Sequence, residues 1–191
     1  IRPTTSLTAY AGSNLTSNTS NPWGTAGSLV IANNQSVSGT MALRGRDGIT
    51  INANLSANTW TARVGYHFFS SVYNYGVGTG GLAVNGAVSA TSSIDARLYN
   101  GAFSVNSSTG SLSAPTITLY NANNSLTITD RVMPTSSLTA WAGYSDFGWG
   151  TAGALTMAND QSVSGAMDLM SRTDMTTNAS LTANSITGQL Y

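Results

Sequence analysis

The sequence predicts an all-β fold built from short, repetitive strands. Three observations predict it. Ser, Thr and Asn make up 71 of 191 residues, and these side chains favour turns, caps and strands over helix interiors. Apolar residues recur six positions apart, at Ile31, Val37, Leu43, Ile49 and Leu55, and again at Met157, Val163, Leu169, Met175 and Leu181. Finally, one stretch of the chain repeats another.

The strands are short apolar runs. Leu29-Val-Ile31, Ile49-Thr-Ile51, Phe103-Ser-Val105, Thr116-Ile-Thr-Leu-Tyr120 and Leu126-Thr-Ile128 are the clearest. Several alternate an apolar residue with Ser or Thr, the period of a strand with one buried face. Between the runs stand Asn33-Asn34, Asp47-Gly48, Asn85-Gly86 and Asn100-Gly101. Such pairs turn a chain because Asn, Asp and Gly tolerate positive φ.

The repeat is close. Pro3 to Gly12 matches Pro134 to Gly143, Trp23 to Gly27 matches Trp149 to Gly153, and Gln35 to Gly39 matches Gln161 to Gly165. The stretch Ser13 to Pro22 carries extra polar residues and reads as a loop. A weaker copy fills the middle, where Leu112-Ser-Ala-Pro-Thr-Ile-Thr118 echoes Leu55-Ser-Ala-Asn-Thr-Trp-Thr61 and Leu181-Thr-Ala-Asn-Ser-Ile-Thr187. We therefore divide the chain into three units, 1–66, 67–122 and 123–191. Units this small and polar bury a core only against neighbours.

The six-residue spacing asks for one inward side chain on each short face of a β-helix. One chain coiling on itself satisfies it. So does an intertwined trimeric fibre, in which each chain supplies one face per layer. Tandem β-sandwich units with tight turns are the alternative.

Composition excludes several functions. The chain has seven Arg, seven Asp, one His and no Lys, Glu or Cys. Disulfides, thiolate metal sites, Schiff bases and P-loop lysines are excluded. Only 7% of residues are charged and the net charge is zero, which speaks against nucleic acid and anionic membrane surfaces. No run of 18 apolar residues is present to insert in a membrane, and no signal peptide is visible. The 41% hydrophobic content at zero net charge is unlike a disordered chain. No cofactor or metal site is expected.

Catalytic constellations are equally sparse. The acids Asp47, Asp95, Asp130, Asp146, Asp160, Asp168 and Asp174 read as turn or surface residues. Asp160 stands where the first unit has Asn34, so that place tolerates a neutral side chain. His67, beside Phe68 and Phe69, reads as structural, since a catalytic His needs an orienting acid. The glycines from Gly76 to Gly81 lack the following helix of a dinucleotide loop and read as a mobile turn. Asn-x-Ser/Thr triplets at Asn14, Asn18, Asn34, Asn54, Asn106, Asn123 and Asn178 follow from composition. We expect no catalytic residues and no enzyme activity.

Aromatic residues are the candidate binding positions. Tyr10 corresponds to Trp141, and Trp23 to Trp149, with Tyr75 aligned to the latter pair. A ring beside Asn, Asp and Ser suits a sugar, whose apolar face stacks while its hydroxyls bond to the polar groups. Tyr10, Trp23, Tyr75, Trp141 and Trp149 are therefore the candidate ligand-stacking residues.

In composition and cadence, Gly27-Ser-Leu-Val-Ile31, Ile49 to Thr59 and Thr109 to Thr118 resemble the shaft and tip repeats of bacteriophage tail fibres and tailspikes. The resemblance covers most of the chain and rests on no diagnostic motif. It implies a homotrimeric, β-rich fibre on a virion or other extracellular surface, touching a host glycan or protein. Bacterial adhesin and filament repeats look the same, and a tailspike-like polysaccharide depolymerase is a further alternative. Ice binding is disfavoured, because the Thr residues form no regular Thr-x-Thr ladder in the sequence. Ile1-Arg2-Pro3 resembles the interior Arg131 to Pro134, so the chain is expected to begin inside a longer array.

Overall fold

A computed structural model describes residues 5–12, 27–65, 78–145, 148–150 and 152–190. Among them no helix occurs, and strands dominate. The longest sheet aligns β1 (Leu7–Ala11), β4 (Thr40–Gly45), β6 (Leu55–Val64), β8 (Ala87–Leu98), β10 (Ser111–Asn121), β12 (Val132–Ala142), β17 (Ala166–Ser171) and β20 (Ser185–Leu190) in that order. The two-residue β3 (Gln35–Ser36) also pairs with β6. A second sheet holds β2 (Leu29–Ile31), β5 (Ile49–Ile51), β7 (Leu82–Val84) and β9 (Phe103–Val105). A third holds β11 (Leu126–Ile128), β15 (Leu155–Met157) and β18 (Met175–Thr177). The pair β16 (Gln161–Ser162) and β19 (Leu181–Thr182) forms a small fourth sheet. A hairpin joins β13 (Tyr144–Ser145) to β14 (Gly148–Trp149).

These sheets are parallel, and the hairpin is the one antiparallel pairing among the described residues. That excludes tandem sandwiches of tightly turned strands, whose neighbours run antiparallel. Parallel neighbours need a long return path, ordinarily a helix. Here the return runs through the short strands of the other sheets. Among the described residues no sheet closes on itself.

Each pass of the chain lays a strand beside the one from the pass before. Ile31, Val37, Leu43, Ile49 and Leu55 all point into the interior, with Leu43, Ile49 and Leu55 fully buried. The six-residue spacing therefore marks successive short faces. It breaks at Thr61, where Trp60 and Ala62 point in instead, because Leu43 pairs with Ala62 and not with its neighbour. The interior is columnar. Leu7, Met41, Trp60, Ile94, Ile117, Leu138 and Met167 follow one another strand by strand, and all are buried. Each such side chain stabilises by about 1.5–3 kcal/mol. A bend in β10 is marked by register shifts between Ser113 or Ala114 and Thr116, and β6 bends likewise between Ala57 and Thr59.

The corners use side-chain oxygens to bridge passes. Asn34 Oδ1 accepts from the Asn54 amide at 2.9 Å, and Asn54 Oδ1 from the Ala87 amide at 3.0 Å. Asp160 Oδ1 does the same for the Ser180 amide at 2.8 Å, so the Asn34/Asp160 exchange in the repeat preserves an acceptor. The described glycines Gly78, Gly80 and Gly81 are packed tightly. A Cβ on Gly80 or Gly81 would collide with the backbone of Asp47 or Ala102. The mobile turn expected there is, over these residues, a place where backbone meets backbone.

One corner carries the long connections. Seven links lead from the long sheet to the next short strand, and 46–48, 99–102, 122–125 and 172–174 are brief. The others span 12–28, 65–81 and, with the β13–β14 hairpin inside it, 143–154 before β15. Each begins at a glycine of the same left-handed conformation: Gly12 at φ 74°, Gly65 at 74° and Gly143 at 76°. Each has its two feet together, since a Cβ on Gly12 would stand 3.0 Å from Gly27 N, one on Gly65 3.1 Å from Gly78 O, and one on Gly143 3.1 Å from Gly153 N. Asp47 fastens the first, taking the Gly27 amide on Oδ2 at 2.7 Å and giving its own amide to Gly27 O at 2.9 Å.

Candidate functional site

The outward face of the long sheet, near that corner, holds the densest charged and aromatic cluster among the described residues. Strand alternation builds it. In β6, Trp60, Ala62 and Val64 point inward and Thr61 and Arg63 outward. Parallel register then aligns the outward residues across strands. One column reads Tyr10, Arg44, Arg63, Arg97, Tyr120, Trp141, Met170 and Gln189. The next, two residues back, reads Thr8, Ala42, Thr61, Asp95, Thr118, Thr139, Asp168 and Thr187.

Asp95 organises the middle of this face. Its Oδ2 lies 2.5 Å from Arg63 Nη2 on the preceding strand, and its Oδ1 2.9 Å from Arg97 Nε on its own. Arg63 Nη1 also donates to the Asp95 carbonyl at 2.8 Å. Arg97 lies over the Tyr120 ring at 4.7 Å, and Arg44 over the Tyr10 ring at 5.1 Å. Tyr120 and Trp141 stack face to face with centroids 4.5 Å apart and planes 6° from parallel. Tyr144, at the start of the hairpin, meets Trp141 edge-on at 4.8 Å. Burial pushes the Tyr120 phenol above its usual 10.0, with Asp95 and Asp168 adding to the shift and Arg97 opposing it.

Of the candidate residues, Tyr10 and Trp141 share the outward column, Tyr10 exposed and Trp141 half-buried. Tyr120 occupies one face of Trp141, so that face is closed to a sugar. Trp149 lies in β14, paired with Tyr144. Trp23, Tyr75, His67 and Asp146 fall outside the described residues, but by sequence Trp23 and Tyr75 belong to the links 12–28 and 65–81. Composition reasoning missed Arg44, Arg63, Arg97 and Tyr120. Their linear signal is faint: each precedes an inward residue near a strand end, and only register brings them together.

Asp95 and Asp168 share a column but stand three strands apart, roughly 14 Å at the usual strand spacing. Paired carboxylates of glycoside hydrolysis sit about 5–9.5 Å apart. No group of three metal-ligating side chains exists among the described residues, which likewise contain no helix long and apolar enough to cross a membrane. Compared with protein-family models, curated proteins and solved structures, the chain shows no match.

Proposed function

We propose that this chain is a β-helical segment of an extracellular attachment fibre, most simply a virion tail fibre, that binds host surface glycan and performs no catalysis. One observation carries the proposal: the guanidinium and aromatic column lies beside the corner from which all three long links leave. Recognition concentrates on variable links held by a rigid scaffold. Here the described feet of those links, Gly12 with Gly27, Gly65 with Gly78 and Gly143 with Gly153, stand next to a ready-made polar and aromatic face. Burial of the core by side chains of one chain favours the single-chain coil over three chains winding together. A trimer would then form by lateral association of such coils, multiplying weak contacts.

A bacterial adhesin fits the same self-contained core and is the second reading. Hydrodynamic mass separates the two, a stable trimer favouring the virion fibre and a monomer the adhesin. Binding itself is tested on a glycan array with the native chain and with Arg63→Gln and Trp141→Ala. The proposal predicts a selective set of bound glycans that both substitutions weaken. It fails if no glycan binds, or if reducing sugar is released from a bound one.

A further inference from the structure

We propose that the two edges of the long sheet fit one another, so that β20 of one copy takes β1 of a second copy as its next parallel strand and copies stack head to tail. This goes beyond the attachment reading and depends on no ligand.

The argument begins at the last layer. Among the described residues, β1 and β20 are the two edges of the long sheet. By the repeat, β20 corresponds to the second half of β6. Leu181 to Thr187 echoes Leu55 to Thr61, and carried to the strand end this sets Ile186 on Trp60 and Leu190 on Val64. In β6 both inward side chains are 0% exposed, because β8 lies beyond them. In β20 their counterparts are 47% and 60% exposed. Leu55 and Ala57 are buried, whereas Leu181 and Ala183 are only partly so. Repeat folds close such an end with a polar cap, and bare strand edges are guarded by charge or Pro. Here β18, β19 and β20 contain no charged residue and no Pro. The last layer thus carries the inward side chains of an interior layer.

The opposite edge shows what fits there. Ser6 to Gly12 matches Ser137 to Gly143, so β1 repeats the second half of β12. Likewise Ser185-Ile-Thr187 in β20 repeats Thr116-Ile-Thr118 in β10. Inside the chain β10 and β12 already stack, with Ile117 beside Leu138 and Thr118 beside Thr139. The same register sets Ile186 against Leu7 and Thr187 against Thr8. Strand β1 has no charge to oppose it, and Leu7 and Ala9 border an apolar hollow with Val30 and Ile31. The backbone is ready on both sides. Thr5 O and Ala11 O accept from β4 and the residue after it, so alternate residues Thr8 and Tyr10 turn N–H and C=O to the open edge. In β6 the Tyr99 amide donates forward to Val64 O, so by the repeat Ile186, Gly188 and Leu190 turn theirs to the open edge of β20. Main-chain bonds between two edges give affinity and side-chain pockets give register. A head-to-tail contact that does not close generates a filament.

The experiment is sedimentation velocity over a wide range of concentration, with circular dichroism to verify folding. The native chain should grow through a dimer to longer species as concentration rises. Ile186→Lys places a charge on the open end, where a half-exposed site tolerates it in the free chain. Gly188→Pro removes one edge N–H there. Each should raise the dissociation constant of self-association about tenfold or more. Thr8→Pro should do the same from the opposite edge. Mixed together, Gly188→Pro and Thr8→Pro should form a one-to-one pair and nothing larger, since each keeps the edge that the other lacks. Folded variants that associate like the native chain overturn the inference. So does a native chain that stays monomeric, or one that forms a trimer of fixed size, which leaves the attachment fibre standing. Self-association of Thr8→Pro, but not of Gly188→Pro, would mean tail-to-tail pairing and overturns the head-to-tail contact.

Discussion

Arg63 and Asp95 stand on neighbouring parallel strands with Nη2 and Oδ2 2.5 Å apart, and their side chains are only 15% and 22% exposed. Arg97 closes on the same carboxylate from its own strand. Fully exposed ion pairs contribute little, but this one is sheltered and shared by two guanidiniums. Asp95→Asn should therefore cost about 1–3 kcal/mol, lowering the melting temperature by roughly 2–4 °C for each kcal/mol. Most of the loss should persist at high salt, because sheltered pairs are screened weakly. A variant that melts with the native chain would mean the pair contributes nothing.

Gly143 marks a second sensitive point. Its φ of 76° strains any L side chain, and an added Cβ would lie 2.6 Å from Arg172 Cβ. Gly143→Ala should destabilise by about 1–3 kcal/mol. Gly188 has no such conformation and would meet only Met175 Sδ at 3.8 Å, so Gly188→Ala should be neutral or mildly stabilising. Chemical denaturation of both variants checks the contrast.

The corner acceptors give a finer test. Asp160 and Asn34 perform the same task at equivalent corners. Asp160→Asn should leave stability unchanged, whereas Asp160→Ala strands the Ser180 amide and should cost about 1 kcal/mol. Equal losses in both variants would show that charge, and not the acceptor oxygen, matters.

Tyr120 predicts the alkaline limb of stability. Burial, the largest influence, holds its phenol protonated beyond the usual 10.0 in the folded chain. The folded state thus binds this proton more tightly than the unfolded state does. The resulting stabilisation is complete below pH 10.0 and disappears as pH rises through the raised value. Tyr120→Phe should flatten the fall of unfolding free energy at alkaline pH. Ultraviolet titration of tyrosinate should also lose one step displaced above pH 10.0.

Much of the fold was legible in the sequence, because inward positions are set by local chemistry. The ladder Ile31 to Leu55 and the turn pairs Asp47-Gly48 and Asn100-Gly101 lie where their residue types placed them. The parallel sense was legible only through the six-residue spacing, since a strand does not encode its partner. The outward arginine and aromatic column was largely hidden. Arg44 and Arg63 are 19 positions apart and Arg63 and Arg97 34 apart, as the register pairs them, and the unequal gap comes from the link 65–81. Likewise Thr118 and Thr139, which no linear pattern joins, stand side by side across strands. Of the aromatic positions, the alignment of Tyr10 with Trp141 was readable from the repeat, whereas the capture of Trp141 by Tyr120 was not.

The order of strands in the long sheet is the order of strands in the chain. Along that ladder each strand thus grips its immediate predecessor and successor, and β6 alone also holds the two-residue β3. Tension applied at the two termini would detach the outermost layer while those beneath stay knit, so that extension proceeds as a series of small, separate ruptures. A ladder built this way dissipates a sudden pull gradually and can re-form from whatever layers survive.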